Sequence, residues 1–532
     1  MNAIDLYSGV GGWSLGLKMA GINVIQSYEW WGPAAETLKN NLGGEVSIVD
    51  IRALPLESIP SDIDIVVGSP PCTQFSYSNR GGSGDVYDGL KDIYKFLEIV
   101  EHVNPKYWVM ENVPRVATFM RRELGLGGAL ERFRSLVEVI EVVDCASFGL
   151  PQKRKRMLAG KFPFRLLSSY ASIAEQLTLG QIMDSIAGDN PKDLVYKKSI
   201  RADRITDNHQ ESPLTPEEMR INRDSKQYNC IYNKMQFPEP LDSPARTITA
   251  TETRVSRESL IVLDSIDESY RRLTNRERAS IQSFPLTYQF YSTSHSARLK
   301  MIGNAIPPLL TYYIARSIQG VLPADMPSMK ELEYVHHTPE KLPDCKSPDN
   351  YPRKYPTNRR FRAAIPNLRF GSGVRFDLSN AFEDDSVKWQ ITFSFGPSKA
   401  YSVITPNQDF MKTSEIALAD DVLYNSILKT LEATSTYMDK SSIQSLQSVW
   451  NHQKDQGMSP HDLIDNLGQG VLDIKNTLGK HSSFDAFKFV KRYIGNQKHA
   501  DAKTLSDTKL NQIALDICAG LFVSSWFNSR IS

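Results

Sequence analysis

Over its first 165 residues the chain switches between two hydrophobic periods. Short, nearly continuous apolar runs alternate with stretches whose apolar positions recur every three or four residues. "NAIDLYSG" reads as a strand and "WSLGLKMA" as a helix, and "INVIQSYE" with "GPAAETLKNN" repeats the pair. "IDIVVGS", "DIYKFLEIVEHV" and "KYWVMENV" continue as strand, helix and strand. Such alternation predicts βαβ units: an α/β domain with a mostly parallel sheet and helices on both faces.

The texture changes near residue 166. Residues 166–250 are polar and irregular, as in "DNHQESPLTPEEMRINRDSKQYNC", and predict a smaller inserted domain. The helical segments "TNRERASIQSF" and "GNAIPPLLTYYIARSIQGVL" return residues 251–325 to the first domain, begun by residues 1–165. Residues 326–358 carry "HHTPEKLPDCKSPDNYP" and read as a linker. Residues 359–532 open on a β-like run, "VKWQITFSFG", and continue in helical periods. They predict a separate mixed α/β domain. No internal repeat is visible.

Composition adds limits. The 532 residues suffice for two or three domains. The net charge is +1, so a surface for nucleic acid has to come from local clustering. Five cysteines (Cys72, Cys145, Cys230, Cys345, Cys518) are scattered, with no CxxC pair. They predict reduced thiols in a cytoplasmic protein and no metal site. "MNAIDLYSG" enters a strand at once, which predicts no signal peptide. The apolar stretches read as too short to span a bilayer, so no membrane is expected.

Two turns carry candidate chemistry. "DLYSGVGGWSLGL" puts Gly9, Gly11 and Gly12 between the first strand and first helix. Glycines there permit a tight turn and close approach of a ligand to backbone. The spacing is not GxGxxG, because Ser14 stands where a third glycine is required. Glu29 and Asp50 follow at successive strand ends, where carboxylates can accept hydrogen bonds from ribose hydroxyls or an adenine amino group. The second turn is "GSPPCTQFS". Pro70 and Pro71 fix φ and stiffen the loop that presents Cys72 at the carboxyl end of the sheet. A lone cysteine is usually a small buried hydrophobe; this rigid frame suits a reacting thiol better.

With these residues in hand the sequence resembles the cytosine-C5 DNA methyltransferases. "DLYSGVGG", "SPPCTQFS", "ENV", "QKRKR", "RRLTNRERASIQSFP" and "GNAIPP" occur in the family's order across residues 5–308. The resemblance implies a Rossmann-like S-adenosylmethionine-dependent methyltransferase sheet with residues 166–250 as target-recognition domain. It implies S-adenosyl-L-methionine as cofactor, S-adenosyl-L-homocysteine as product and double-stranded DNA as partner. It also implies a role in restriction-modification or related defence, with a cognate endonuclease or defence subunits as partners, in a prokaryotic or phage-type cytoplasm.

Residue by residue, Cys72 matches the nucleophile that adds to cytosine carbon 6 and makes carbon 5 electron-rich. Glu111 of "MENV" matches the acid at ring nitrogen 3, and to donate there it must hold a proton, which burial favours. In "PQKRKR" an extended strand puts Gln152, Arg154 and Arg156 on one face and Lys153 and Lys155 on the other. The resemblance assigns Arg156 to the cytosine carbonyl oxygen and Arg154 to holding the Cys72 thiolate. Tyr7, Ser8, Gly9, Gly11, Gly12, Glu29, Trp30, Asp50, Ile51, Pro71 and Leu90 match cofactor positions, and Asn304 and Ala305 close the pocket from late in the chain. The sequence departs from the pattern at Thr73, where the family usually has Gln, and at Tyr87, where it commonly has Arg.

The target cytosine must leave the helix stack before a side chain reaches it. The loop at about 73–92 is expected to close on DNA. Ser76, Gln152, Arg220, Arg223 and Lys226 are expected at the DNA, along with Asn222, Gln227 and Asn229. In the C-terminal region "PRKYPTNRRFR" is a basic run suited to a DNA backbone or to solvent. "GVLDIK" offers Asp473 and Lys475 in a loose D-x-K nuclease pattern, and an accessory DNA-binding or oligomerisation module fits better. Rival readings are a cytosine-C5 tRNA methyltransferase, a catalytically inactive DNA-binding scaffold and a nucleotide-dependent oxidoreductase. The last is disfavoured by the missing third glycine.

Overall fold

A computed structural model describes the chain except residues 72–85, 189, 203–204, 206–210, 228–234, 265–267, 333–353, 371–373, 384–385, 396–401, 419, 436–439, 482, 496–505 and 532. The chain forms two compact units. The first is built from Met1–Gln227 with Met235–Pro348, the second mainly from Asp349–Ser532.

The first unit holds a seven-stranded sheet: β1 (Asn2–Leu6), β2 (Asn23–Glu29), β3 (Val46–Ile48), β4 (Ile65–Gly68), β5 (Tyr107–Asn112), β6 (Val139–Asp144) and β7 (Lys155–Lys161). Their order is β3-β2-β1-β4-β5-β7-β6. The first five run parallel, while β7 is antiparallel to both β5 and β6. The chain winds outward from β1 to β3, then restarts at β4 beside β1. The winding reverses between β1 and β4, and open α/β sheets bind ligands at the carboxyl ends of their strands at such a point.

The strands are apolar on both faces because helices cover both. Ala3, Ile65, Val67 and Val109 point into one core with Trp13 and Leu15. Ile4, Val66, Trp108 and Met110 point into the other. Helix α1 (Gly12–Met19) belongs to the first layer. Helices α3 (Val86–Val103) and α4 (Pro114–Glu123) belong to the second. In α3, Leu90, Ile93, Phe96, Leu97 and Val100 recur at helical spacing and are all buried. Helix α2 (Gly32–Leu42) follows β2. Thus the expected parallel sheet is present with one strand departing from it: β7 runs against both its neighbours, and β6 runs with the first five.

Residues 166–250, set apart in the sequence, share this packing in part. Leu167, Tyr170, Leu179, Ile182 and Tyr196 join the core that holds Ile302 and Leu310. The helix Pro216–Gln227 turns Asn222 and Lys226 inward, and Arg254 holds it by an ion pair to Glu218 at 2.7 Å.

The second unit has a four-stranded antiparallel meander, Arg362–Phe370, Val374–Glu383, Ser386–Phe395 and Ser402–Ile404, followed by six helices among the described residues. Phe376, Leu378, Ile391 and Phe393 are buried in this unit. Asp473 and Lys475 lie in the helix Pro460–Gly479, and Lys475 pairs with Asp516 at 2.6 Å. A nuclease D-x-K pair is expected on a strand, so this pattern is corrected to a helical ion pair. One expectation about apolar length is also corrected. The helix Asp507–Ile531 is long and apolar enough to cross a bilayer, although 72% of its apolar window is buried inside the protein. Ile517, Cys518 and Phe522 are among its core residues.

Candidate active site at the carboxyl edge of the sheet

The glycine turn follows β1. Tyr7 and Gly9 take left-handed backbone, with φ of 54° and 53°, and Gly11 does so at 84°. A β-carbon on Gly9 would meet nothing within 4 Å, so the backbone there faces open space. Gly12 differs: its β-carbon would sit 2.2 Å from the Ile306 carbonyl oxygen. Its close neighbour is therefore the late "GNAIPP" segment. Gly16, on α1, packs the same way on Thr311 and Tyr312 of the helix Pro308–Ile318. The Thr311 hydroxyl donates to the Gly12 carbonyl at 2.8 Å.

Glu29 ends β2 beside this turn and is buried. Its two oxygens accept from Gly9 N–H and Trp31 N–H, each at 2.8 Å. Burial pushes its pKa up, and these amides oppose the rise. Behind it Asp5 is fully buried and accepts from the Ser14 hydroxyl at 2.6 Å and Ser14 N–H at 3.2 Å. Burial lifts Asp5 to about 7. On the other side the Tyr7 hydroxyl reaches Asp92 at 3.3 Å. Arg52 grips the same carboxylate at 2.6 Å and Asp88 at 3.0 Å. Asp50 is exposed and caps the short turn Ile51–Ala53 by accepting from Arg52 N–H at 3.0 Å. Ser8, Ile51 and Leu90 are buried around the turn, while Trp30 is 65% exposed.

At the end of β5, Glu111 meets Arg156 on β7: Nε to carboxylate oxygen is 2.8 Å, with Glu111 buried and Arg156 partly so. The register explains the meeting. Glu111 pairs with Leu158, so Arg156 is its diagonal neighbour on the same face. The next residue, Asn112, donates from its side chain to the Pro70 carbonyl at 3.1 Å. Trp13 donates to Ser69 at 3.1 Å. Two contacts thus fix the segment that leads into residue 72.

The model of the C-5 cytosine-specific DNA methylases matches residues 1–320. A Type II methyltransferase of Arthrospira platensis, M.AplI, is 29% identical over 341 residues, covering 64% of this chain and 91% of the relative. M.HgiDI of Herpetosiphon aurantiacus is 28% identical over 340 residues, covering 63% and 99%. M.FnuDI of Fusobacterium nucleatum is 28% identical over 343 residues, covering 60% and 95%. The chain belongs to the C-5 cytosine-specific DNA methylases. It is a DNA (cytosine-5-)-methyltransferase, and the family match ends at residue 320.

In this methylase several residues stand elsewhere than their sequence suggests. Arg154, expected to hold the thiolate of Cys72, which lies outside the described residues, donates to backbone. Its guanidinium is 1% exposed and donates to the carbonyls of Ile248, Gly303 and Ala305 at 3.1, 2.9 and 3.0 Å. A buried cation needs such acceptors, and these backbone oxygens supply them. Gln152 is also corrected: it is buried, donates to Gln282 at 2.9 Å and accepts from Ile248 N–H at 2.9 Å. It has no face left for DNA here. Lys226, expected at DNA, is buried against Asn222, and burial draws its pKa down to about 7. Arg220 and Arg223 flank Asp224 at 3.8 and 3.7 Å, and Arg223 is half-exposed.

Glu111 is buried, as expected, and has the Arg156 guanidinium beside it. Asn304 is exposed at the end of the helix His295–Asn304, and Ala305 is buried beside it. Pro71 is exposed next to buried Pro70. Cys72 and Ser76 lie outside the described residues, as does most of the expected loop 73–92. From Val86 onward that stretch is helix α3. Cys145 is described: burial pushes its thiol up to about 12 even with Arg154 and Arg156 nearby, which makes it inert. The residues that sequence reasoning missed are Arg52 and Asp92, 40 positions apart, and Asn112, which sat inside a motif already quoted.

Proposed function

We propose that this methylase attacks carbon 6 of a cytosine flipped out of duplex DNA with the Cys72 thiolate, and so primes carbon 5 to take a methyl group. The observation that carries the reading is the ion pair of buried Glu111 with Arg156 beside a tethered Pro70, two residues ahead of Cys72. When sulfur bonds to carbon 6, negative charge spreads toward ring nitrogen 3 and the carbonyl oxygen. Glu111, carrying a proton, donates at nitrogen 3, and Arg156 donates to the carbonyl oxygen. Both stabilise charge that exists only after attack, which lowers the barrier and leaves ground-state binding unchanged. Once carbon 5 carries the methyl group, its proton passes to water, the carbon–hydrogen electron pair re-forms the carbon 5–carbon 6 double bond, and Cys72 leaves as thiolate.

The residues of the glycine turn fit S-adenosyl-L-methionine. Gly9 faces open space, and Glu29 holds two amides while keeping lone pairs for ribose hydroxyls. Asp50 and Ile51 frame the adenine edge, Tyr7 packs on the adenine, and Asn304 and Ala305 border the pocket. The bound cofactor supplies an electrophilic methyl group on a sulfonium. The Type II relatives support a role in restriction-modification, with a cognate endonuclease as partner.

The test is trapping on duplex DNA in which 5-fluorocytosine replaces cytosine. Fluorine at carbon 5 cannot leave as a proton would, so the parent protein should stay covalently bound after transfer. Cys72→Ser should give no adduct and no transfer. An adduct with Cys72→Ser, or methylation at the parental rate, would refute the mechanism. A tRNA used in place of duplex DNA should accept no methyl groups.

A further inference from the structure

The meander in the second unit has two unlike faces. Its apolar face is covered, since a β-carbon on Gly520 would lie 2.9 Å from Leu368 and Phe376. The helix Asp507–Ile531 therefore presses on that side. Residues alternate along a strand, so the other face carries the remaining positions. The register places Arg362 opposite Ser379, Ala364 opposite Asp377 and Arg369 opposite Arg375. It places Asp377 opposite Thr392.

On this second face Arg375, Asp377 and Thr392 are buried, and the charge that reaches solvent is that of Arg362, whose side chain is 48% exposed, beside exposed Arg360. Arg362 and Arg375 both bond one oxygen of Asp377, at 2.7 and 2.6 Å. Two guanidiniums thus share that one carboxylate. Arg360 and Arg362 line a cavity of about 470 Å³ together with Phe361, Ser379, Asn380, Thr392 and Val403. Phe376 and Phe393 stack across the apolar face and stay buried, and among the described residues buried Phe361 is the one aromatic residue lining the cavity. Single strands are held by stacking bases on rings, whereas a polar, cationic surface without a run of exposed rings suits phosphates.

We propose that this face binds the phosphodiester backbone of duplex DNA, without reading its sequence, through Arg360 and Arg362. The proposal rests on the methylase reading, because the first unit makes DNA the polymer available to a tethered second site. A site on the same chain raises the local concentration of the substrate polymer.

The experiment measures binding of the full-length protein to a 40-base-pair duplex of random sequence, by fluorescence anisotropy over a series of salt concentrations. In Arg360→Gln/Arg362→Gln, Arg375 still neutralises Asp377, so the fold is retained, which a thermal melt checks. Binding should weaken several-fold, and the slope of log affinity against log salt should fall by about 0.9 for each lost phosphate contact. Lys429→Gln, on the helix Asp421–Ser435, makes a charge change away from the sheet and should leave affinity and slope alone. Methyl transfer by the double variant at saturating DNA should match the parent. An unchanged slope in the double variant, or an equal change in Lys429→Gln, overturns the proposal. Failure of the parent to methylate DNA would instead strike the first unit's chemistry, while the salt slope still reports on this face independently.

Discussion

At the scale of single residues, the neighbouring arginines of "QKRKR" separate two kinds of work. Arg156 touches Glu111, whereas Arg154 touches backbone oxygens and Gln152. Their substitutions should therefore fail differently. Arg156→Lys replaces a directional fork with a point charge. It should lower the rate of methyl transfer about 10-fold to 100-fold with little change in melting temperature. Glu111→Gln removes the transferable proton and should cost about 10²–10⁴ in rate. Arg154→Lys leaves carbonyls short of donors and should destabilise by about 1–3 kcal/mol for each bond unmade, read as a lower melting temperature. Asp5 gives a pH-dependent case. Its folded pKa of about 7 lies above its ordinary value of 3.8, so the native state binds the proton more tightly. Its contribution is fully present at low pH and is lost as pH rises from about 4 to about 7. Asp5→Asn keeps an acceptor for Ser14 and removes the ionisation. Urea denaturation at pH 5 and pH 8 should show a smaller loss of stability for this variant than for the parent.

At the scale of elements, the parallel core was legible because its strands are short apolar runs separated by helical periods. Three features were not. The reversed direction of β7 leaves no mark on periodicity, since a strand reads alike in either direction. The sequence showed that Gly12 suits a close approach, yet not whether a ligand or Ile306 makes it. Alternation in "PQKRKR" placed Gln152 and Arg154 on a common face, without saying that this face is buried under residues 248 and 303–305. The pairing of α1 with the helix Pro308–Ile318 yields a direct test. In Gly16→Ala the new β-carbon would stand 2.0 Å from Thr311 Oγ1 and 2.5 Å from Tyr312 N. The helices must separate, at about 1–3 kcal/mol or more. Because the glycine turn opens α1, weaker cofactor binding in calorimetry should accompany the lower melting temperature.

At the scale of the whole molecule, the family match and the relatives account for the first unit only. Residues 1–332 expressed alone should transfer methyl groups to DNA, at a turnover within a few-fold of the full chain when DNA is saturating. Weaker DNA binding at moderate salt is the expected difference, and a titration of DNA concentration reads it as a raised KM. The function of the second unit was the least legible part of the sequence. "PRKYPTNRRFR" announced positive charge, but only the strand register shows which arginines share a face and that one aspartate answers two of them.

The contact of Gly12 with Ile306 also has a temporal side. The glycine turn is walled by a segment translated almost 300 residues later. At elongation rates of roughly 5–20 residues per second, that wall follows by about 15–60 s. On the ribosome Gly12 therefore emerges long before its neighbour, and chains halted before Ile306 should bind S-adenosylmethionine more weakly than the full chain in a filter-binding assay.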